Sequence, residues 1–357
     1  MHRTRRRAEV GGAEMSGSGG YGDPYGHGGP PAPPPAPPPG WGRAAPPSHA
    51  HAGPEPYHRI LRTPSYHPWR PIVGILFVVS TGVLVGPLLV SGAVGAGLAV
   101  FSPDHAGSFF NDLLSSTITP SSLLAINLSL AALIPITWMA IRFFHGMRPR
   151  WLSSVRPGLR WRLLLQFIGL AVVALVLFAV GSSLILGSDT VPVDTDDSQS
   201  VSTTTTIAFL VVIVLTQPLQ SAAEEYAFRG YLLQAFGALV RVRWFTLVLT
   251  SLLFALAHGS QNLPLFTDRF LFGLVAGALV MVTGGLEAGI ALHIVNNVFV
   301  LLLAAAAGGI NDTLNLSEAG WDTLISDIAN LLVFAALVLW WSRRKALTNV
   351  TAGPPDG

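Results

Sequence analysis

PIVGILFVVSTGVLVGPLLVSGAVGAGLAV, residues 71–100, contains no acidic or basic side chain. About 20 apolar residues cross a bilayer as a helix, so this stretch reads as a membrane span that could bend at Gly86-Pro87. Seven further apolar stretches follow, at about 122–144, 162–187, 206–236, 244–258, 266–284, 286–306 and 323–342. The stretch 206–236 is too long for one upright crossing and contains Pro218, which predicts a kink or a strong tilt. The stretch 244–258 is short. The expected fold is all-α: a polytopic membrane helix bundle of about eight transmembrane helices, preceded by a disordered N-terminal tail.

Composition agrees. Half of the 357 residues are hydrophobic and only 11% are charged, against about 25% in soluble domains; mean hydropathy is +0.52. The absence of cysteine excludes disulfides, a thiolate nucleophile and Cys-bound metal. Arginine supplies all the basic residues except Lys345, as in a GC-rich coding sequence. The partner that this composition implies is the lipid bilayer, with no nucleic acid.

Residues 1–70 are of different material. The run from Pro30 to Gly40 is nearly all Pro and Ala. With so few large apolar residues no core can form, so a disordered, polyproline-like cytoplasmic tail is expected. A partner that recognises proline-rich segments is the functional reading of this tail. The cluster Arg3, Arg5, Arg6 and Arg7 is not followed by an apolar stretch until residue 71 and does not read as a signal peptide.

Charge in the loops predicts orientation, because cytoplasmic flanks collect Lys and Arg. Arg59, Arg62 and Arg70 precede the first span; Arg142, Arg148, Arg150, Arg156, Arg160 and Arg162 separate the second and third. Arg241 and Arg243 follow the fourth, and Arg343, Arg344 and Lys345 follow the last. The alternate loops are acidic: Asp104 and Asp112; Asp189, Asp194, Asp196 and Asp197; Asp312, Glu318 and Asp322. Arg269 alone breaks the pattern. Both termini are expected in the cytoplasm, with the chain in the plasma membrane.

Carboxylates within spans are costly and usually mark function. Glu224 and Glu225 are adjacent in the fourth span. Glu225 and Arg229 stand four apart with the acid N-terminal, the favourable order for a helical ion pair. Glu224 points about 100° away around the helix. Gln217, Gln220 and Ser221 precede it and form a polar stripe that cannot face lipid. A desolvated carboxylate of this kind suits a general base that takes a proton from water. His258 ends the fifth stretch; both it and Glu224 lie 17 residues from Arg241, the turn between their helices, which puts them at similar height. His293 and Asn297 share one face of the seventh span, and both can donate to a developing oxyanion. Asn296 partly shares that face, and Glu287, nearer the helix start, reads as interfacial. Taken singly, each feature has a plainer reading: an internal ion pair, a satisfied interfacial histidine, interhelical hydrogen bonds.

Together, Glu-Glu-x-x-x-Arg (Glu224, Glu225, Arg229), Phe-x-x-x-His (Phe254, His258) and His-x-x-x-Asn (His293, Asn297) resemble the three motifs of the CPBP family of intramembrane proteases. That family includes the type II CAAX prenyl endopeptidases and bacterial Abi proteins. The resemblance covers about residues 204–305. It implies that Glu224 and His258 activate a water, that His293 and Asn297 support the oxyanion, and that Glu225, Arg229 and Phe254 hold the site together. It divides the chain into the tail 1–70, helices one to three over 71–203, a catalytic core over 204–305, and a last helix with a short cytoplasmic end over 306–357.

The family is commonly described as metalloproteases. A divalent metal such as zinc would draw on Glu224, His258 and His293, since zinc favours three protein ligands. A glutamate-activated water with an oxyanion hole needs no metal, and no required cofactor is the first expectation. Prenylated C-terminal motifs are the substrates the resemblance implies for eukaryotic and archaeal members, whereas the arginine-rich composition suggests a bacterium. Two other functions fit the same residues. One is a non-catalytic scaffold or bacteriocin-immunity-type protein. The other is a proton-coupled transporter, although no inverted repeat of the Glu-Glu segment is visible in the first half.

Overall fold

The computed structural model describes residues 51–115, 117–186 and 202–352. The part of the expected tail at 1–50 and the acidic loop with Asp189, Asp194, Asp196 and Asp197 lie outside the described residues. Within them the chain is helical, with two isolated β-bridges, Pro56 to Val350 and Ser154 to Gly285.

Among the described residues, seven helices are long and apolar enough to cross a membrane. Helix α1 spans Trp69–Phe101 and α2, Pro103–Leu114, follows it. Next come α3, Pro120–His145, and α4, Trp161–Leu186. The central α5 spans Thr203–Leu239, followed by the short α6, Arg243–Leu256. Then come α7, Leu263–Thr283, α8, Glu287–Ala307, the single-turn α9, Ile310–Leu314, and α10, Trp321–Arg344.

Local sequence explains the irregularities. Helix α1 does not break at Gly86-Pro87; it widens to π-helical winding over Thr81–Val85, immediately before that pair. Helix α3 loosens at Ala132, where Pro135 cannot donate to the preceding turn. Helix α5 continues through Pro218 and takes its wide turn later, over Tyr226–Leu232, directly after the paired glutamates. Such π-bulges concentrate at functional sites.

The fifth stretch departs most from expectation. Helix α6 has 14 residues, roughly 21 Å of rise against a hydrocarbon core of about 30 Å. It ends at Leu256, and the chain turns through Gly259 at φ 80°. This end leaves His258 in the turn that follows α6, among the exposed residues 256–260.

The basic segments gather at one end. The Tyr57 hydroxyl donates to the Leu152 carbonyl at 2.5 Å, and Arg62 Nε donates to that of Ala238 at 2.7 Å. Val155 and Leu286 exchange backbone bonds with Gly284 and Ser153, each 2.9 Å, and Thr351 N–H reaches Glu55 O at 2.9 Å. Tyr57, Ile60 and Leu61 are buried there. Residues 51–68, which fall within the expected tail, are therefore folded onto the bundle. Gly237 permits this close approach: a Cβ there would overlap the His58 carbonyl.

Around the sides, Leu88, Leu89, Leu165, Leu215 and Ile325 stand exposed while Glu225, Arg229 and His293 are buried. Apolar outside and polar inside is the arrangement that hydrocarbon solvent requires.

Candidate active site

The site is built where α5, α6, α7 and α8 meet. The wide turn of α5 brings Arg229 back toward Glu225, and Nη1 donates to Glu225 Oε1 at 2.7 Å. Both side chains are closed off, at 2% and 0% exposure. The guanidinium lies over the Phe254 ring, 4.1 Å from its centre. Phe254 in turn touches the His258 ring at 4.7 Å, the His293 ring at 6.0 Å and Phe272 at 5.8 Å. One aromatic side chain on α6 thereby sets the positions of a cation and two imidazoles.

His293 joins the two glutamates. Its Nδ1 lies 3.0 Å from Glu225 Oε1 and its Nε2 lies 3.5 Å from Glu224 Oε2. An ionised carboxylate can only accept, so Nδ1 carries a proton toward Glu225. The approach depends on Gly289, one turn before His293. A Cβ at that position would stand 2.5 Å from Glu225 Oε2 and 3.2 Å from Val280 Cγ2.

The two acids differ in surroundings. Glu224 Oε1 accepts from Gln220 Nε2 at 2.7 Å, and Gln217 Nε2 donates to Gln220 Oε1 at 2.6 Å. Glu224 Oε2 has no hydrogen-bond donor among the described residues. The Glu224 side chain keeps 11% exposure where Glu225 keeps none.

A cavity of about 340 Å³ opens beside this network, lined by Gln217, Phe254, His258, His293, Asn296 and Asn297 among others. Glu224 does not line it; its neighbours are His293, which does, and Gln220. His258 Nδ1 donates to the Phe254 carbonyl at 2.8 Å, which leaves Nε2 as an acceptor. The ring lies within electrostatic reach of Glu224 and His293. Asn297 lines the cavity with its Oδ1 accepting from Asn296 Nδ2 at 3.3 Å. Glu224, Glu225, Arg229, Phe254 and His293 thus form one contact network; His258 and Asn297 join it across the cavity wall.

Glu287, at the start of α8, has a partner that the sequence did not show. It is fully buried, with Oε2 2.6 Å from Arg160 Nη2 and Oε1 2.9 Å from Arg160 Nε, tying the 149–160 loop to the start of α8. Several cavity residues were not expected: Asp268 and Arg269 on α7, Asp327 on α10, and Phe272. Asp268 and Asp327 had a sequence signal, a carboxylate inside an apolar span. Arg269 had its exception to the charge pattern; its Nη1 donates to Gln261 Oε1 at 2.7 Å.

The donor set does not fit a bound metal. Among the described residues no three His, Asp or Glu side chains converge closely enough to hold an ion. Both nitrogens of His293 already face carboxylates, and His258 Nδ1 is committed to a carbonyl.

Membrane-length helices enclosing a Glu–His–Glu–Arg network beside a polar cavity define a polytopic membrane protein with an intramembrane site. Residues 203–299 match the family described as type II CAAX prenyl endopeptidase Rce1-like. The uncharacterized protein YyaK of Bacillus subtilis (strain 168) is 26% identical over 224 residues, covering 59% of this chain and 73% of that protein. An uncharacterized 24.3 kDa protein of Escherichia coli is 33% identical over 126 residues, 35% of this chain and 56% of that protein. No solved structure gives a significant match.

Proposed function

We propose that the protein is an intramembrane endopeptidase that hydrolyses a peptide bond of a membrane-bound peptide or protein, using side chains and water alone. The observation that carries this reading is the unpartnered Oε2 of Glu224, the more accessible of the two acids, 3.5 Å from His293 Nε2. In the proposed cycle a water donates one hydrogen to Glu224 Oε2 and the other to His258 Nε2. Glu224 takes the proton as the water oxygen attacks the scissile carbonyl carbon. The oxyanion receives hydrogen bonds from the Asn297 amide and from the His293 ring, which Glu225 holds in place. Collapse of the tetrahedral intermediate breaks the C–N bond, and Glu224 returns the proton to the leaving amine.

Glu225, Arg229 and Phe254 hold the reacting groups in place. The same network ends at Arg229, 1% exposed, which supports hydrolysis over a proton path across the membrane. We also place both termini on the cytoplasmic side of the plasma membrane. This is supported by the convergence of residues 51–68, the 149–160 loop and the chain end after α10 at one end of the bundle. A cysteine introduced at position 195 should react with an impermeant reagent from outside the cell only.

The test of function is a comparison of membrane-fraction peptides from cells carrying the wild-type protein or its Glu224→Ala variant. Wild-type cells should contain cleavage products absent from the variant. Identical peptide sets, with both proteins present at equal level, would remove the proposal.

A further inference from the structure

At the basic end, away from the catalytic network, a second cavity of about 510 Å³ lies between the start of α4 and the end of α10. Its polar lining is Arg156, Arg160, Arg162, Lys345, Gln166 and Thr348, and it has no acidic residue. Arg160 is neutralised by Glu287. Arg156, Arg162 and Lys345 have no carboxylate within ion-pair distance among the described residues. Three uncompensated cations thus surround one concave space.

The surroundings say what it faces. Trp161, on the cavity wall, is 67% exposed at the first residue of α4. Trp341 donates to Gln166 Oε1 at 3.1 Å, and Lys345 Nζ lies over the Trp341 ring at 5.1 Å. Tryptophans at the ends of membrane helices mark headgroup depth. One turn deeper on α4, Leu165 is 66% exposed, a surface for an acyl chain. Basic pockets between transmembrane helices at this depth take anionic lipid headgroups.

We infer that this cavity is a binding site for the phosphate of an anionic phospholipid, held by Arg156, Arg162 and Lys345, with the acyl chains descending along α4. The inference is independent of the catalytic reading. The site couples lipid to the fold at one definite place, because its Arg160 wall also carries the buried pair with Glu287 at the start of α8.

The test uses the full-length protein in a neutral detergent, titrated with phosphatidylglycerol, phosphatidylcholine or inorganic phosphate, with occupancy read by native mass spectrometry. Phosphatidylglycerol should bind saturably and phosphatidylcholine should not. The triple variant Arg156→Gln, Arg162→Gln, Lys345→Gln should bind phosphatidylglycerol about 100-fold more weakly, at roughly fivefold per cation. Arg142→Gln with Arg148→Gln, two exposed arginines near the same end but outside the cavity, should leave binding unchanged. Equal loss in both variants would show diffuse attraction and overturn the site. Equal binding of the two lipids would overturn it as well. Inorganic phosphate binding as tightly as phosphatidylglycerol would overturn the lipid as the ligand.

Discussion

Glu225→Gln takes the carboxylate away from a guanidinium that is 1% exposed and from an imidazole 3.0 Å away. The amide keeps the shape and one acceptor oxygen, but Arg229 is left as a buried charge without its counterion. Removing one member of a buried pair costs about 3–5 kcal/mol. The cation–π contact of Arg229 with Phe254, worth about 2 kcal/mol when desolvated, is present in both proteins and cancels. Glu224→Gln is different. Its Oε1 still accepts from Gln220, and its Oε2 has no donor to lose, so the change should cost under about 1 kcal/mol. It removes the base, however, and general-base catalysis contributes about 10²–10⁴ in rate. Thermal denaturation in detergent should therefore show Glu225→Gln strongly destabilised and Glu224→Gln close to wild type, while Glu224→Gln has lost peptide hydrolysis. The reasoning is refuted if the two stabilities are alike, or if Glu224→Gln cleaves within tenfold of wild type.

Three other outcomes follow from named contacts. Gly289→Ala drives a methyl against Glu225 Oε2 and Val280; overpacking of about 1–3 kcal/mol should separate His293 from Glu225 and lower kcat at near-normal expression, measured on the purified variant. Gly237→Ala overlaps the His58 carbonyl and should release residues 51–68, seen as faster limited proteolysis before residue 69 with the helices intact. Burial, aided by Arg59 and Arg243, lowers the pKa of His58 to about 4 from 6.5. The unfolded chain takes up this proton at higher pH than the folded one, so the stability from neutral His58 is full above about pH 6.5. It should fall through the window from 6.5 to 4 by up to about 3 kcal/mol; His58→Gln should flatten that part of the melting-temperature profile, and an unchanged profile would contradict it.

Some of this was readable in the residues alone. Apolar windows gave the spans, because a helix in hydrocarbon must be continuously apolar on its outer face. The Glu225–Arg229 pair is local, four residues on one helix, and so was visible. Both legs of the hairpin at Arg241 are helical, over Thr203–Leu239 and Arg243–Leu256, as the count of 17 residues to Glu224 and to His258 assumed. The Glu225–His293 contact was not visible: it depends on how closely α5 and α8 approach, which Gly289 decides, and no periodicity reports a distance between helices. The π-helical turns also leave no simple pattern. Residues 51–68 were missed because Tyr57, Ile60 and Leu61 are sparse among Pro and His, and become a core only when α5 and the chain end close over them. The Arg160–Glu287 pair was not visible because its members are 127 residues apart.

The central claim is that Glu224 activates water at a site assembled by three helices. Its most direct test is peptide cleavage by purified protein in liposomes, with membrane-partitioning peptides as substrates, products identified by mass spectrometry, and a strong chelator present. The account predicts cleavage by the wild type that survives chelation and disappears in Glu224→Gln. Cleavage by Glu224→Gln at the wild-type rate would contradict it.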